Sequence, residues 1–171
     1  MQNLKLNLVV CINQKNAIGK GNDLLYHIYN DFQNFKRLTT DNIVVMGDRT
    51  LESLPGSKPL PNRINVVLSL DPDYKAEDVI VLNNIDDISQ LSIFNNKEIF
   101  IIGGATIYKL FVERDMIDTM YITEVKDDTE GDAYFPKIDT DKYKLVFQTP
   151  FYTDEKTSLE YRYNIWKKRA A

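Results

Sequence analysis

The sequence predicts an α/β fold with a mostly parallel central sheet, helices on both faces and an antiparallel edge from the C-terminal third. Short runs rich in Val and Ile alternate with helical patterns over the first two-thirds, and such near-continuous apolar strands are typical of parallel sheets covered on both faces. The last third has strand composition without a convincing helix. With 171 residues and 43% hydrophobic content, the chain can bury one sizeable core, so residues 1–171 are predicted to form a single domain.

Each element follows from its local pattern. The predicted strands of the first part are the apolar runs Leu6–Ile12, Ile43–Met46, Ile64–Ser69, Val79–Leu82 and Ile99–Ile102. The predicted helices between them are Ile28–Leu38, Arg49–Leu54, Ile85–Phe94 and Thr106–Arg114. Met120–Val125, Tyr143–Gln148 and Leu159–Lys167 are predicted as later strands, the last because its side chains alternate with period two.

Composition excludes several classes of protein. The net charge of -4 and the isoelectric point near 5.1 argue against nucleic-acid binding. The single cysteine, Cys11, cannot form an internal disulfide, and together with the single histidine it gives no metal-ligand spacing. The sequence has no secretory signal pattern and no apolar run long enough to span a membrane. We therefore expect a cytoplasmic protein, monomeric because no apolar exposed stripe suggests a partner, with no metal, nucleic acid or membrane among its ligands.

One carboxylate stands out in the first predicted helix. Ile28, Phe32, Phe35 and Leu38 follow the spacing of an apolar helix face, and Asp31 falls on that face. A desolvated carboxyl needs a hydrogen-bonding partner or has its pKa raised, which suits proton chemistry or the binding of a cationic heterocycle. Alternatively, Asp31 caps the first turn of the helix. The residues alone leave both interpretations open.

Two glycine turns indicate an anion site. Gly103-Gly104 lies where an apolar strand turns into a helix, so the backbone can approach a ligand closely and the helix N-terminus can face a phosphate. Gly47 occupies a similar turn after an earlier strand. Neither turn has the dinucleotide fingerprint G-x-G-x-x-G or a Walker sequence. Two such turns at the carboxyl ends of parallel strands nevertheless favour a dinucleotide ligand.

Several motifs in order along the chain resemble those of the dihydrofolate reductase family. The similarity extends over nearly the whole chain. It is carried by Ala17-Ile18-Gly19 with Asn22, Asp31 with Phe35-Lys36, Met46-Gly47 with Thr50 and Glu52-Ser53, Leu60-Pro61 with Arg63, Ile102-Gly103-Gly104 with Tyr108, Tyr121-Ile122-Thr123, and Glu130-Gly131-Asp132 with Phe135-Pro136.

The resemblance implies a reaction and a substrate site. A hydride would pass from NADPH to 7,8-dihydrofolate, giving 5,6,7,8-tetrahydrofolate for one-carbon metabolism and thymidylate synthesis. Asp31 would hold the pterin, with Thr123 as its partner and Tyr26 as a further catalytic donor. The resemblance implies that dihydrofolate and antifolate inhibitors would contact Val9, Val10, Leu24, Asp31, Phe32, Phe35, Lys58, Leu60, Arg63, Ile102, Tyr108 and Thr123. Arg63 would bind the glutamate carboxylate through its guanidinium fork.

The resemblance also implies a cofactor site. Gly103, Gly104, Ala105 and Thr106 would cradle the pyrophosphate of NADPH, assisted by Arg49 and Thr50. The segment from Ala17 to Leu24 would form a mobile lid over the nicotinamide. The full implied cofactor set is Cys11, Ala17, Ile18, Gly19, Asn22, Gly47, Arg49, Thr50, Ser69, Gly103, Gly104, Ala105, Thr106, Ile107 and Tyr108.

The chain departs from the family at two places. Leu25-Tyr26 replaces the usual Pro-Trp before the first helix, which predicts a changed lid and slower chemistry. Kinetics of a Leu25→Pro, Tyr26→Trp double variant that match the parent would refute this. Asp48 and Leu70 replace residues that usually face the 2′-phosphate of NADPH, which predicts better tolerance of NADH. The alternative is that Asp48 caps the following helix. An unchanged cofactor preference in Asp48→Arg would refute the repulsion hypothesis.

Two other functions compete with reductase activity. A pyrimidine reductase of the riboflavin pathway shares the fold and the nicotinamide chemistry, but it should lack the Asp31 helix pattern and Arg63, both of which are present. A folate- or nucleotide-binding protein that has lost catalysis would fit the change at Leu25-Tyr26. Ligand binding without turnover would identify that second alternative.

Overall fold

A computed structural model describes residues 4–170 of the chain. Its strands and helices are β1 (Leu6–Ile12), β2 (Ala17–Lys20), β3 (Asp23–Leu24), α1 (Tyr29–Thr39), β4 (Ile43–Gly47), α2 (Asp48–Ser53), β5 (Ile64–Leu68), β6 (Ile80–Leu82), β7 (Ile99–Gly103), α3 (Ala105–Glu113), β8 (Ile117–Val125), β9 (Ala133–Tyr134), β10 (Tyr143–Gln148), β11 (Tyr152–Thr153) and β12 (Glu160–Lys168). Short 3₁₀ segments cover Pro55–Ser57 and Ile85–Ile93.

The main sheet is mixed and mostly parallel, as the sequence predicts. Its strand order is β10-β12-β8-β1-β7-β4-β5-β6, and β11 pairs with β12. All neighbouring pairs from β8 to β6 are parallel, whereas β12 runs antiparallel to β8, β10 and β11. The antiparallel edge therefore consists of β10, β11 and β12. Strand β8 pairs in parallel with β1 because α3 returns the chain to the starting edge of the sheet after β7.

The two faces of the sheet are covered by different elements. On one face, Ile43, Val45 and Ile101 pack with Ile107 and Phe111 of α3 in the largest apolar cluster. On the other face, Val44, Met46 and Val67 pack with Leu51 of α2. Because successive side chains of a strand point to opposite faces, the continuous apolar runs supply both clusters.

The 3₁₀ segment Ile85–Ile93 replaces the α-helix predicted there. Its buried residues are Ile85, Ile88 and Leu91, whose spacing of three matches the three residues per turn of a 3₁₀-helix. The predicted α-helix would bury the same side chains, since an amphipathic α-helix also buries positions three apart. The observed segment therefore differs from the prediction in its hydrogen-bond pattern.

A second, three-stranded sheet was not predicted. It pairs β2 with β3 and β9. Strands of two to four residues are too short for a periodic pattern to reveal them. Within residues 4–170, no helix is long and apolar enough to cross a membrane.

Candidate active site

Asp31 lies at the start of α1 and its carboxylate accepts a hydrogen bond from the Thr123 hydroxyl at 2.5 Å. Ile28 is the N-cap residue of this helix and makes no side-chain cap bond. The capping interpretation of Asp31 is therefore wrong: its side chain bonds across to β8 instead. Asp31 nevertheless lies in the first turn of α1, where the helix dipole favours a negative charge.

The environment of Asp31 raises the pKa of its carboxyl group. Burial raises the pKa of this carboxyl above its usual value, and the Thr123 and Cys11 side chains oppose the shift because they donate to the charged form. Desolvation is the largest of these causes. A desolvated acid with a raised pKa is typical of proton chemistry or of binding a cationic group.

Three side chains on adjacent strands line the sheet beneath Asp31. Cys11 and Tyr163 are both register partners of Thr123, so all three point to the same face. The pKa values of the Cys11 thiol and the Tyr163 phenol are raised, first by burial and then by the Asp31 charge. Both groups are therefore neutral at physiological pH, and Cys11 is not a thiolate nucleophile.

The apolar face of α1 is open where it leaves the sheet. Ile28 is buried, but Phe32 is 39% exposed and Leu24, on the preceding strand, is 53% exposed. Phe35 is half-buried, as are Leu60 and Ile102, which pack against the α2 cluster. Exposed or half-exposed apolar side chains of this kind are candidates for contact with a ligand, and their predicted contacts with substrate stay predictions.

The side chain of Val10 does not belong to this set. It is buried in the α3 cluster, on the face of β1 opposite to Cys11. Strand alternation turns its side chain away from Asp31, so only its backbone is available for the predicted contact with substrate, which stays a prediction. Val9, half-buried, lies on the Cys11 face.

Arg63 is oriented by the end of α1 and by the loop before β5. Its Nε donates to the Pro61 carbonyl at 2.8 Å, and its Nη1 donates to the Thr39 hydroxyl at 3.1 Å. Partial burial lowers the pKa of the guanidinium without removing its charge. The remaining N–H groups are held in a fixed direction, as a carboxylate-binding fork requires. Lys58 is exposed at the end of the loop's 3₁₀ turn.

The Gly103-Gly104 turn connects β7 to α3 through a cis peptide bond. Gly103 has a φ of 122°, and a Cβ there would lie 3.3 Å from the Tyr108 ring. Tyr108 is buried and its hydroxyl donates to the Val9 carbonyl at 2.6 Å. Glycine is thus required at Gly103 by both backbone and space. Next to this turn, Ala105 is half-buried, Thr106 is exposed and Ile107 is buried.

The second glycine turn meets the first. A Cβ on Gly104 would lie 3.7 Å from the Thr50 hydroxyl, and one on Gly47 would lie 3.0 Å from Ile107. The start of α2 and the start of α3 therefore converge at the carboxyl edge of the sheet. Arg49 is exposed there. The sequence prediction that both turns serve one ligand is consistent with this geometry.

Asp48 does not cap α2. Gly47 is the N-cap residue and Asp48 is the first residue of the helix, with no side-chain cap bond. The Asp48 carboxylate instead accepts a hydrogen bond from the buried Ser69 hydroxyl at 2.9 Å. The capping alternative is wrong because the Asp48 carboxylate is hydrogen-bonded to the hydroxyl of Ser69, the residue after β5.

The predicted lid segment is paired with β9. Ala17 and Ile18 are buried, whereas Asn22 is exposed at the turn between β2 and β3 with a φ of 64°. A Cβ on Gly131 would overlap the Gly19 carbonyl oxygen, so this position has no room for a side chain. Mobility of this segment stays a prediction.

The Tyr26 hydroxyl donates to the Asp127 carboxylate and accepts from the Asn13 amide at 3.0 Å. Burial and the Asp127 bond raise the pKa of Tyr26 to about 12. Its one proton is thus committed to Asp127, which gives Tyr26 a positioning role toward the 127–129 loop. Asn13 also donates to the Thr129 carbonyl at 2.7 Å.

Three residues of this region were missed by the sequence predictions. Asn13 and Asp127 fix Tyr26, and Tyr163 lies beside Thr123. The alternation of β12 places Tyr163 on one face of a strand, but the sequence contains no signal that this face meets Asp31. Asn13 and Asp127 have no pattern of their own, because their partners lie far along the chain.

The chain matches the family model for dihydrofolate reductase over residues 5–168. It is 33% identical over 165 residues to the dihydrofolate reductase of Bacillus subtilis, covering 96% of this chain and 95% of that protein. The Staphylococcus aureus dihydrofolate reductase is 34% identical over 160 residues, with 94% and 96% covered.

A solved structure has the same fold. Dihydrofolate reductase from Enterococcus faecalis, complexed with NADP(H) and RAB-propyl, superposes with a TM-score of 0.85 at 32% identity and covers 97% of both chains. The family match and the full-length relatives agree with the fold and with the motifs around Asp31 and Gly103-Gly104. This chain therefore belongs to the dihydrofolate reductase family and catalyses the reaction that gives the family its name, the reduction of dihydrofolate.

Proposed function

We propose that this reductase binds dihydrofolate through Asp31 and takes its hydride from NADPH. Asp31 carries the proposal, since its partly buried carboxylate accepts a hydrogen bond from Thr123 and lies on the same helix as the exposed Phe32 and the half-buried Phe35. Conversion of 7,8-dihydrofolate to 5,6,7,8-tetrahydrofolate adds a hydride and a proton across positions 5 and 6. The reduced nicotinamide supplies the hydride, and the protein supplies alignment and electrostatics.

Asp31 binds the ring nitrogen and amino group of the pterin. One carboxylate oxygen accepts from Thr123, which fixes the orientation of the carboxyl group and leaves the other oxygen for substrate. A hydrogen bond to a charged group contributes about 1.5–3 kcal/mol. The raised pKa of Asp31 also makes proton exchange with bound substrate or water less costly.

The side chains around Asp31 bind the rest of the substrate. Phe32, Phe35, Leu24, Leu60 and Ile102 contact the pterin and benzoyl rings, which would cover the apolar area that the free protein exposes. Arg63 binds the glutamate carboxylate, because Thr39 and the Pro61 carbonyl already fix its guanidinium. Inhibitors that mimic folate are expected to bind at the same site.

The glycine turns fit a pyrophosphate. Neither Gly103 nor Gly104 has a side chain in the way, and α3 directs its free N–H groups toward the edge of the sheet. Arg49 and Thr50 lie at the adjoining turn and supply positive charge and a hydroxyl. On this proposal, backbone groups of Cys11 and the Ala17 carbonyl bind the nicotinamide carboxamide, so that the hydride donor would lie beside Asp31; the Ala17 N–H already donates to Asn13 Oδ1 at 3.0 Å.

The chain is proposed to act as one monomeric domain in the cytoplasm. Its single cysteine, partly buried in β1, needs no oxidising compartment. Light scattering of the purified protein tests the oligomeric state, with a mass near 19.8 kDa expected.

The first test is dihydrofolate-dependent oxidation of NADPH by the purified protein. Turnover that is strongly reduced in Asp31→Asn, but not in the exposed control Asp141→Asn, is expected. Turnover unaffected by Asp31→Asn would refute the role of Asp31. Folate binding without any turnover would favour the alternative of a binding protein that has lost catalysis.

A further inference from the structure

The carboxyl edge of β4 and β5 carries a carboxylate where a dinucleotide would pass. Strands β1, β7, β4 and β5 are neighbours, and their spacing of about 4.8 Å puts β5 roughly 14 Å from β1. A cofactor with its nicotinamide at Cys11 and its pyrophosphate at Gly103-Gly104 would extend toward β5. Asp48 and Ser69 lie at the ends of β4 and β5 on this path.

A cavity is lined in part by Leu70, the residue that follows Ser69. It has a volume of about 360 Å³ and is lined by the apolar side chains of Leu70, Ile85 and Leu110 and by Asn83, Asn84, Thr106, Lys109 and Glu113. The three apolar side chains offer a surface for an adenine ring, and the polar side chains offer hydrogen bonds to its nitrogen atoms. An adenosine seated here would have its ribose between the cavity and the pyrophosphate turns, beside Asp48 and Ser69.

Ser69 has no proton left for a phosphate. Its hydroxyl donates to Asp48 at 2.9 Å and accepts from the Asp71 backbone N–H at 3.3 Å. The hydroxyl has only one hydrogen, so donation to another anion would require loss of the Asp48 bond. The Asp48 carboxylate, by contrast, keeps lone pairs that can accept from ribose hydroxyls.

The charge around this pair opposes a phosphate. The pKa of Tyr74 is raised by burial and then by the charges of Glu52 and Asp48, which shows a negative local potential. Within residues 4–170 Asp48 makes no ion pair with a lysine or arginine. Arg49, the residue after Asp48, is exposed, and the ammonium group of Lys109, which lines the cavity, lies 3.9 Å from the Glu113 carboxylate.

Leu70 also makes the position beside Ser69 unfavourable for a phosphate. Its side chain is 81% exposed directly after Ser69, so the position beside the hydroxyl offers neither a donor nor a charge. An acid that binds the ribose 2′-hydroxyl selects a cofactor without a 2′-phosphate, whereas an arginine selects one with it.

We propose that Asp48, held by Ser69, accepts the ribose hydroxyls of the cofactor, so that the protein uses NADH with an efficiency comparable to NADPH. This rests on the proposed function, because it assumes the cofactor path past Gly103-Gly104. Asp48 is thus a specificity-determining residue for the known reaction and takes no part in the transfer of the hydride.

The test compares kcat/KM for NADPH and NADH in the parent, in Asp48→Asn and in Glu155→Gln. Glu155 is exposed beyond β11, at the opposite flank of the sheet, and its variant gives the same change of net charge. The parent is expected to favour NADPH by less than about tenfold. Asp48→Asn should raise the NADPH to NADH ratio by about tenfold, since one elementary charge near a phosphate has this order of effect. Glu155→Gln should leave the ratio unchanged.

Ionic strength gives a second readout that needs no variant. Salt screens the repulsion between Asp48 and a 2′-phosphate, so the parent's ratio should move toward NADPH as salt increases. This trend should be weaker in Asp48→Asn. A parent preference for NADPH above about a hundredfold, or an unchanged ratio in Asp48→Asn, would overturn the proposal. Failure to oxidise either cofactor would instead refute the proposed function.

Discussion

Asp31→Asn should lower kcat/KM for dihydrofolate and raise the free energy of unfolding at alkaline pH. The variant keeps the shape of the side chain and an oxygen that can accept from Thr123, but it removes the charge. Loss of a charge-assisted bond to substrate costs about 1.5–3 kcal/mol, which is about a 10- to 150-fold decrease in kcat/KM for dihydrofolate. The measurement is steady-state kinetics with dihydrofolate varied at saturating NADPH.

The gain in stability depends on pH in a defined direction. The folded pKa of Asp31 lies above its unfolded value, so the folded state binds more protons in the window between the two. The stability of the parent therefore falls as pH rises through that window. Above it, the ionised carboxylate costs about 1.4 kcal/mol for each unit that separates the two pKa values. Asn cannot ionise and avoids this cost.

Urea unfolding from about pH 4 to about pH 9 measures the effect directly. The free energies of unfolding of parent and Asp31→Asn should converge at the acid end, and the variant should be the more stable at the alkaline end. The difference must agree with the Asp31 pKa obtained independently by NMR titration. Asp141→Asn, which alters an exposed loop residue, should change stability by less than about 0.5 kcal/mol at either end.

Two results would refute this reasoning. A variant that is less stable than the parent at alkaline pH would mean that desolvation does not dominate the environment of the carboxylate. An activity loss of less than about threefold would mean that substrate does not depend on the charge of Asp31.

Three further substitutions test the surroundings of the site. Thr123→Val removes a hydrogen-bond donor to the Asp31 carboxylate, so the pKa of that carboxyl should rise further. The limb of the pH–rate profile that reports the ionisation of Asp31 should then move to higher pH. A limb that does not move would contradict this. Arg63→Lys should raise KM for dihydrofolate about tenfold with kcat little changed, because lysine lacks the fork; a loss confined to kcat would place Arg63 elsewhere in the mechanism. Tyr26→Phe should lower the free energy of unfolding by about 1 kcal/mol through its bonds to Asp127 and Asn13, and urea titration that shows no loss would remove its positioning role.

The strands of the sheet were predictable because their signal is local. Runs such as Ile43–Gly47 and Ile64–Leu68 are apolar on both faces, which only a covered parallel sheet accommodates. The short strands β2, β3 and β9 were not predictable, since two to four residues contain no period. The direction of β8 depended on the crossover through α3 and not on its own composition.

The sequence predicted which residues form the candidate site better than it predicted which partners their side chains contact. The motifs that resemble the family contain Asp31, Thr123, Arg63 and Gly103-Gly104. The resemblance names Val10 as a substrate contact, but it could not show that the Val10 side chain points into the α3 cluster, because a motif gives a position without the direction of its side chain. Tyr163 and Asp127 were missed because no local pattern marks them.

By itself the sequence determined the α/β class, the apolar runs that become strands, the glycine turns and the presence of an acid on an apolar helix face. These depend on neighbours within a few residues, and periodicity or turn chemistry records them. The tertiary structure alone decided what the two acids do. Asp31 bonds to Thr123, 92 residues away, and Asp48 bonds to Ser69, 21 residues away. From the sequence, either carboxylate was able to cap its helix. Each bonds instead to a hydroxyl, of Thr123 or of Ser69, that only the packing of the sheet brings within hydrogen-bonding distance.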